Sequence, residues 1–580
     1  MSKEHLEYIR HSTAHLLAAA VLKLYPKTKL TIGPAIENGF YYDFDFGDIK
    51  ITDEDLPKIE EKMRQLLPSW TYFEGRIVSA KEANELFAEN PYKLELIEEL
   101  ASKGDALRIY KAGDFDDLCR GGHSENPANE IGAFKLLTIA GAYWRGSEKN
   151  PMLTRIYGTT FPTKKELDEH LTMLEEAKKR DHRKLGKELG IFTTDDLVGP
   201  GLILWLPKGT IIREEIETFA KKTEKQYGYK RVATPHIAKK ELFETSGHLP
   251  YYADSMFPPM RLDDGDYYLK AMNCPMTHLI FKHTPRSYRD LPLRFAEYGT
   301  VYRHELSGTL AGLLRVRGMS TNDAHIYCTR EQIKEEFLKV MELHKYYYDI
   351  FGIKEYWMRL SLHDPNKKGK YFDNPKLWEF TEQSLREAMR ESGLPFEEAI
   401  GEAAFYGPKV DFQIKSVIGR EETASTNQLD FIASERFGLK YVDSNGQEKP
   451  VFVIHRAPLG THERFVAFLL EHYAGKFPVW LSPVQVVVIP IANRHQEAAR
   501  KANEELQKAN IRSEVDDRAE SMQAKIRQAT LQKVSYMGII GDKEVQSGGL
   551  SIRTREGKDE GLVPLSNFIQ KVKLEIDKKI

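Results

Sequence analysis

The chain has 580 residues, 41% of them hydrophobic and 29% charged, with a formal net charge of −2. At roughly 150 residues per domain this length predicts three or four domains, each able to bury a core of its own. No apolar run reaches the ~18 residues of a membrane span, and the polar opening MSKEHLEYIRHSTAHLL excludes a signal peptide. Three cysteines, Cys119, Cys274 and Cys328, exclude a disulfide framework and point to a reducing compartment, the cytoplasm. The near-neutral charge excludes a global pull on nucleic acid but leaves local basic clusters, at 178–184 and at Arg315 and Arg317.

Residues 1–162 open on a helical pattern (Leu6, Ile9, His11, Leu16, Leu17) and pass into strand-like runs broken at Glu37-Asn38-Gly39, which predicts a compact α+β domain. Residues 163–189 follow a candidate N-cap, Thr163. Leu167, Leu171, Leu174 and Ala177 give them one narrow apolar stripe, so they read as a helical linker. Its basic end suits either RNA backbone or plain solvent. In 190–480 a long helix is expected at 207–227 and a β-rich segment at 229–236. Strands are expected at 266–270, 293–301, 324–328 and 451–455, with helices at 334–351 and 376–391. That order predicts an antiparallel sheet flanked by helices. Residues 481–580 begin with the apolar run VQVVVIP and alternate helices (494–510, 519–532) with strands (512–515, 536–541, 550–553). They predict a small α/β domain with a largely parallel sheet.

Chemistry-bearing residues recur in three places. Cys274, His325 and His455 offer one thiolate and two imidazoles at or near predicted strands, a set that suits zinc with its fourth position open. His278, His304 and Cys328 are nearby competitors, and each residue alone reads equally well as core or as a hydrogen-bonded strand side chain. Arg303 and Glu305 close one predicted strand and Arg315 opens the next. Gly460 precedes a helix carrying Arg464. Guanidinium groups grip phosphate or carboxylate through paired hydrogen bonds, so this grouping suits a nucleotide although no Walker loop is present. At the N-terminus, His11 and His15 share one helix face, and Asp117, Cys119 and His123 surround a glycine pair. His11, His15, Cys119 and His123 could serve as four zinc ligands; position 12 is Ser, which excludes an HExxH protease.

The segments MNCP, RVRG with DAHIYC, AFYGPK, NQLDF, and HRAPLG with ERF occur in that order. With the Arg303-His304-Glu305 loop and the helix–strand ending at Pro235, they resemble the threonyl-tRNA synthetases, a family of class II aminoacyl-tRNA synthetases, over about residues 5–575. The resemblance implies an α+β multidomain chain. Its parts would be an editing domain at 1–162, a helical linker at 163–189, a class II catalytic domain at 190–480 and an α/β anticodon-binding domain at 481–580. It implies one Zn²⁺ on Cys274, His325 and His455, with threonine bound beside it by Met272, Asp323, Tyr406 and Gln428. Catalysis would rest on Arg303 and Arg464, and ATP with Mg²⁺ on Arg303, Glu305, Arg315, Gly460 and Arg464.

The same resemblance implies editing of mischarged serine by His11, His15, Tyr42, Lys93, Asp117, Cys119 and His123, with the metal-free form favoured over a zinc form. Glu544 and Arg553 would read anticodon bases. Partners would be ATP, L-threonine and tRNA(Thr), with no membrane and a homodimer formed through the Pro235 region. The chain is expected to lack the small ubiquitin-like domain with which many such synthetases begin. Met319 stands where the family commonly has Phe, and Thr423 where Gln is usual. The competing readings are a prolyl or seryl synthetase, a synthetase-like RNA-binding regulator without catalysis, and a freestanding editing hydrolase; Arg303, Arg464 and the Cys274 set speak against them.

Overall fold

The structure is a computed structural model, and it describes residues 3–367, 369–415 and 421–580. The chain divides into two compact units, Met1–Glu175 and Glu176–Ile580. No helix among the described residues is long and apolar enough to cross a membrane.

In the first unit, α1 (Lys3–Leu24) packs its apolar face, with Ile9, Leu16, Leu17 and Val21 fully buried, on an antiparallel sheet. The long strands of that five-stranded sheet are β1 (Gly39–Asp45), β4 (Ala133–Tyr143) and β5 (Met152–Phe161), in the order β1-β5-β4, with short strands at Lys29–Leu30 and Ala35–Ile36 paired to β1. Helices α2 (Leu56–Leu66) and α3 (Pro91–Ser102) flank it, and a smaller antiparallel sheet carries β2 (Arg108–Ala112) and β3 (Phe115–Leu118). Asn90 caps α3, accepting from the Tyr92 and Lys93 backbone N–H groups, which fixes the start of the helix that presents Lys93.

The stretch 163–189 comprises two helices. In α4 (Lys164–Arg180) Thr163 and Glu166 cap each other reciprocally; Asp181 then breaks the helix and caps α5 (His182–Leu189). Leu185 and Leu189 of α5 enter the core of the second unit, while His182 bridges Glu471 and the Leu313 backbone N–H.

That core lies around an eight-stranded sheet. Its strands are β6 (Lys230–Arg231), β7 (Leu293–Tyr302), β8 (Gly318–Cys328), β9 (Tyr356–Leu362), β10 (Phe396–Ile400), β11 (Lys409–Lys415), β12 (Glu421–Asp430) and β13 (Phe452–Arg456). Among the described residues the order is β6-β7-β8-β13-β12-β11-β9-β10, antiparallel except for the outermost pair at each edge. Helix α6 (Pro207–Gln226) lies against this sheet, as do α8 (Ile333–Ile350) and α9 (Pro375–Ser392). Shorter α7 (Cys274–Lys282) and α10 (His462–His472) begin at candidate site residues. Two expectations shift. Strand β8 is longer than 324–328, and β7 ends at Tyr302, so Arg303, Glu305 and Arg315 lie in the loop joining β7 to β8. Cys274 opens a helix; Pro275 at its second position suits a first helical turn.

The C-terminal sheet is mixed. Strand β14 (Val486–Pro490) pairs in parallel with β15 (Ser513–Val515) and β16 (Tyr536–Ile540). Beyond β16 the hairpin β17 (Gly549–Thr554) and β18 (Asp559–Pro564) runs antiparallel, which corrects the expectation of a largely parallel sheet. A turn of a few residues cannot make a parallel crossover, and Gly561 and Pro564 hide β18 from a propensity reading. Helices α11 (Gln496–Lys508), α12 (Met522–Leu531) and α13 (Leu565–Lys578) cover it.

One buried cluster holds α6 to the sheet: Glu224, fully buried, lies 2.9 Å from Arg456 and accepts from Asn322 at 2.8 Å. The Arg456 guanidinium also faces the Tyr229 ring at 4.2 Å. Removing one partner of such a pair strands the other charge. Glu224→Ala is therefore expected to cost about 3–5 kcal/mol, seen as a lower urea midpoint for unfolding of the second unit; an unchanged midpoint would contradict this.

Candidate functional site

The first unit gathers seven side chains, five of which (His11, His15, Lys93, Asp117 and Cys119) line an open cleft of about 1040 Å³, with Tyr42 and His123 beside them. Helix α1 supplies His11 and His15 one turn apart, β1 supplies Tyr42, α3 Lys93, and β3 Asp117. The chain then folds back through Gly121 (φ 103°) and Gly122 (φ 83°) to return His123. A side chain at Gly121 would be strained and would also meet the Tyr110 hydroxyl at 2.7 Å.

Asp117 is the hub. Its carboxylate accepts from Tyr42 at 2.7 Å and lies 2.5 Å from the Lys93 ammonium and 3.2 Å from His15 Nδ1. His11 Nδ1 lies 3.1 Å from the Gly122 carbonyl, and His11 Nε2 lies 3.2 Å from His15 Nε2. Cys119 Sγ lies 3.4 Å from His11 Nε2 and 3.5 Å from His123 Nε2.

Burial alone would lower the pKa of His15, but hydrogen bonds to Asp117 and Cys119 raise it to about 9. Burial would raise that of Cys119, but hydrogen bonds from His11, His123 and His15 bring it down to about 3. The result is a thiolate beside an imidazolium. Phe73, stacked on His123 at 4.0 Å, and Tyr110, edge-on to it at 4.5 Å, hold that ring; no spacing in the sequence marks either aromatic.

In the second unit the sheet register does the gathering. His325 and His455 are directly paired across β8 and β13, and Gln428 pairs with His455 from the other side. Cys274 at the start of α7 completes a set whose ligand atoms lie within 4.8 Å of one another. His325 Nε2 is buried without a hydrogen-bond partner among the described residues, and burial, with His455 and Arg456 nearby, keeps this imidazole neutral, the form that ligates metal. Desolvation, then Asp323 and Asp430, push the Cys274 thiol up. A buried orphan nitrogen, a second imidazole and a thiol that needs a cation to ionise fit a zinc ion. Beside them Tyr406 donates to Gln428, Met272 lines the same pocket, and Asp323 accepts from Asn273 at 3.0 Å.

Two residues of this site escaped the sequence reading. Asn273 sits inside the MNCP segment and positions Asp323. Asp430 lies 3.1 Å from His455 Nε2, its other oxygen pinned by the Ile432 and Ala433 N–H groups. Carboxylates that orient a histidine commonly accompany metal sites, which is the signal that could have found Asp430.

Next to this pocket stand three guanidinium groups. Arg464 is desolvated, and Arg303 and Arg315 lower its pKa further, a local excess of positive charge suited to phosphates. Arg315 is paired with Glu305 at 2.9 Å, so the expected adenine and phosphate residues hold each other across the loop. Gly460 (φ 56°) turns the chain toward α10, where Thr461 caps the Arg464 N–H. Met319 is buried with Val301 and Val316, and the Thr423 hydroxyl hydrogen-bonds Gln413. In the C-terminal domain the Glu544 carboxylate accepts from the Gly541 N–H and the Ser551 hydroxyl, serving its own helix cap. Arg553 on β17 has no side-chain hydrogen bond or ion pair among the described residues.

Similarity to known proteins agrees with this arrangement. Residues 259–473 match the tRNA synthetase class II core domain (G, H, P, S and T), 485–575 the anticodon binding domain, and 107–157 the second additional domain of threonyl and alanyl tRNA synthetases. The threonine--tRNA ligase of Rubrobacter xylanophilus is 50% identical over 577 residues, 99% of this chain and 90% of its own. The chain belongs to the threonyl-tRNA synthetase family. The threonine--tRNA ligase of Staphylococcus carnosus is also 50% identical, over 98% of this chain and 88% of that one. Among solved structures, the RNA binding domain of threonyl-tRNA synthetase from Cryptosporidium parvum Iowa II superposes with a TM-score of 0.64 at 35% identity. It covers 68% of this chain and 98% of its own. Both sites of this family member thus fall within or beside segments matched by class II and editing-type domain models.

The cluster around Asp117 makes a pH prediction. His15 should titrate near 9 by NMR, and Asp117→Asn should bring it down by removing its anionic partner. The stabilisation this cation supplies is complete below the ordinary imidazole value of about 6.5 and is lost as pH rises through about 9. A His15 that titrates at its ordinary value in the unmodified protein would contradict the assignment.

Proposed function

We propose that the chain joins L-threonine to tRNA(Thr) in two steps through a threonyl-adenylate, and that its first unit hydrolyses Ser-tRNA(Thr). The observation that carries the reading is the placement of Cys274, His325 and His455 beside the Arg303–Arg315–Arg464 cluster. The supporting division of labour is editing at 1–162, a linker at 163–189, catalysis at 190–480 and anticodon binding at 481–580. The family membership supports a homodimer in the cytoplasm.

Zn²⁺ on Cys274, His325 and His455 would supply a Lewis-acidic position that an amino-acid hydroxyl can occupy. Asp323, held by Asn273, accepts a hydrogen bond from the substrate ammonium, and Tyr406, Gln428 and Met272 close around the side chain. Arg303 holds the threonine carboxylate against the α-phosphorus of ATP. It stabilises the charge that grows there as the carboxylate oxygen bonds to phosphorus and pyrophosphate leaves. Arg315 and Arg464 take the outer phosphates and Glu305 the adenine amino group, with Mg²⁺ accompanying the nucleotide; this requires the exposed Arg315–Glu305 pair to open, a cost of about 0–1 kcal/mol. The ribose hydroxyl of the tRNA terminus then displaces AMP. Arg553, with its guanidinium uncommitted, and Glu544 face the anticodon.

A hydroxyl requirement excludes valine but admits serine, which lacks one methyl and loses only about 1–3 kcal/mol of binding. A second, hydrolytic site answers that gap. In the first unit the paired Cys119 and His15 charges, with Asp117 and Lys93, orient the ester and a water without a metal.

Threonine-dependent ATP–pyrophosphate exchange is expected, with one zinc per chain and little exchange with valine. Arg303→Ala should lower exchange by about a hundredfold or more, and Cys274→Ala should lose the bound zinc in a chelator-competition assay. No exchange with threonine in the unmodified enzyme would overturn the reading. Ser-tRNA(Thr) hydrolysis should persist in chelator and vanish in His11→Ala; loss in chelator would put a metal in the editing site, and persistence in His11→Ala would overturn the site.

A further inference from the structure

Helix α6 works on two faces. Lys208, Ile212, Glu215 and Phe219 recur at three- and four-residue spacing along one side, and Arg213, Glu217 and Glu224 along the opposite one. On the first side, Lys208 donates to Gln532 at 2.7 Å, Glu215 is paired with Arg512 at 2.5 Å, and Phe219 packs edge-on against Trp480. Lys579 covers Trp480 from α13's end at 4.6 Å. Gln532 and Arg512 lie within the matched anticodon-binding segment, and Trp480 lies just ahead of it. Arg512 is no loose surface partner, for its guanidinium also donates to the Trp480 carbonyl at 2.6 Å and the Ser482 carbonyl at 3.0 Å.

On the opposite side, Glu224 also pairs with Arg231 and Glu217 with Lys221, but the partners on the sheet and on α10 adjoin site residues. Arg213 donates to Ser320 on β8 at 3.2 Å, and Glu217 lies 3.6 Å from His462, two residues before Arg464. Glu224 holds Asn322, which precedes Asp323, and Arg456, which follows His455. From Glu215 to Glu224 a helix spans about 13 Å, a short stiff element carrying charges buried at its far end.

We propose that α6 is a strut, and that Arg512 and Glu215 are positioning residues through which anticodon engagement in the C-terminal domain sets the register of the aminoacylation site. Resting on the proposed function above, the inference adds the route by which the correct anticodon raises turnover. A shift of the C-terminal domain pulls on Glu215, and α6 passes it to β8, β13 and α10 through Ser320, Asn322, Arg456 and His462. The strut touches no substrate, so its effect belongs to the tRNA-dependent step.

The test compares the unmodified enzyme with Glu215→Gln, Arg512→Met and the double variant. Threonine-dependent exchange without tRNA should stay within about twofold, while kcat for charging tRNA(Thr) falls about tenfold at nearly constant KM, an ordinary size for coupling between sites. A tRNA(Thr) transcript with a substituted anticodon should lose nothing further, so discrimination between the two transcripts falls by the same factor. The double variant should match the singles. Unchanged discrimination in both singles, a loss confined to KM, or an equal fall in exchange would overturn the strut. Absence of threonine-dependent exchange in the unmodified enzyme would instead overturn the functional reading, and the strut with it.

Discussion

The chemistry of the second unit depends on the register of β8 between β7 and β13. Side chains alternate across a strand, so Asp323 and His325 face the pocket while Asn322, Ala324 and Ile326 face the core. A slip of one residue would exchange those faces and put His325 among the buried aliphatics. Two features forbid the slip. Ala324 and Ile326 are fully buried, and Asn322 is tied to the buried Glu224–Arg456 pair, whose separation would strand a charge. The same pair fixes β13, on which His455 precedes Arg456 and stands opposite His325. One buried charge pair thereby sets the positions of His325 and His455, two candidate metal ligands, without a hydrogen bond to either.

Charge balance separates the remaining sites. Around Asp117 every buried charge has a partner: Lys93 and His15 on the carboxylate, and Cys119 among three imidazoles. Around Arg464 the balance is left incomplete, because Arg303 and Arg315 add to its positive field while Glu305 and Glu422 only partly offset it. A balanced cluster holds a fixed protonation pattern and orients; an unbalanced one attracts an anion and pays little to receive it.

The elements were largely legible because their cores are periodic. Helices at 207–226, 333–350 and 375–392 and the strand pattern of the catalytic sheet follow from apolar spacing. The β17–β18 hairpin was not, since β18 reads as turn residues and owes its pairing to β17. Candidate site residues that stand in motifs, such as Arg303, Arg464 and the Cys274 set, could be proposed from sequence through a family resemblance, and the fold brings the Cys274 set together. Residues that act by position could not. Asn273, Asp430, Phe73, Tyr110 and Arg512 are ordinary in sequence and acquire roles only when the fold sets Asp323, His455, His123 or Glu215 beside them.

Metal preference shows the same limit. His11, His15, Cys119 and His123 converge as closely as Cys274, His325 and His455, each set having ligand atoms within 4.8 Å. Donor type and distance therefore do not separate them, and electrostatics does. In the first set the Cys119 thiolate is matched by the His15 imidazolium, which Asp117 keeps protonated to about 9. A divalent cation there would have to expel that proton and accept Lys93 nearby. In the second set the imidazole of His325 is neutral, and Cys274 stands near two carboxylates. Ionising its thiol adds a negative charge that only a cation balances. Similar convergence with opposite charge demand makes the second set the better fit to zinc and leaves the first charge-balanced without one.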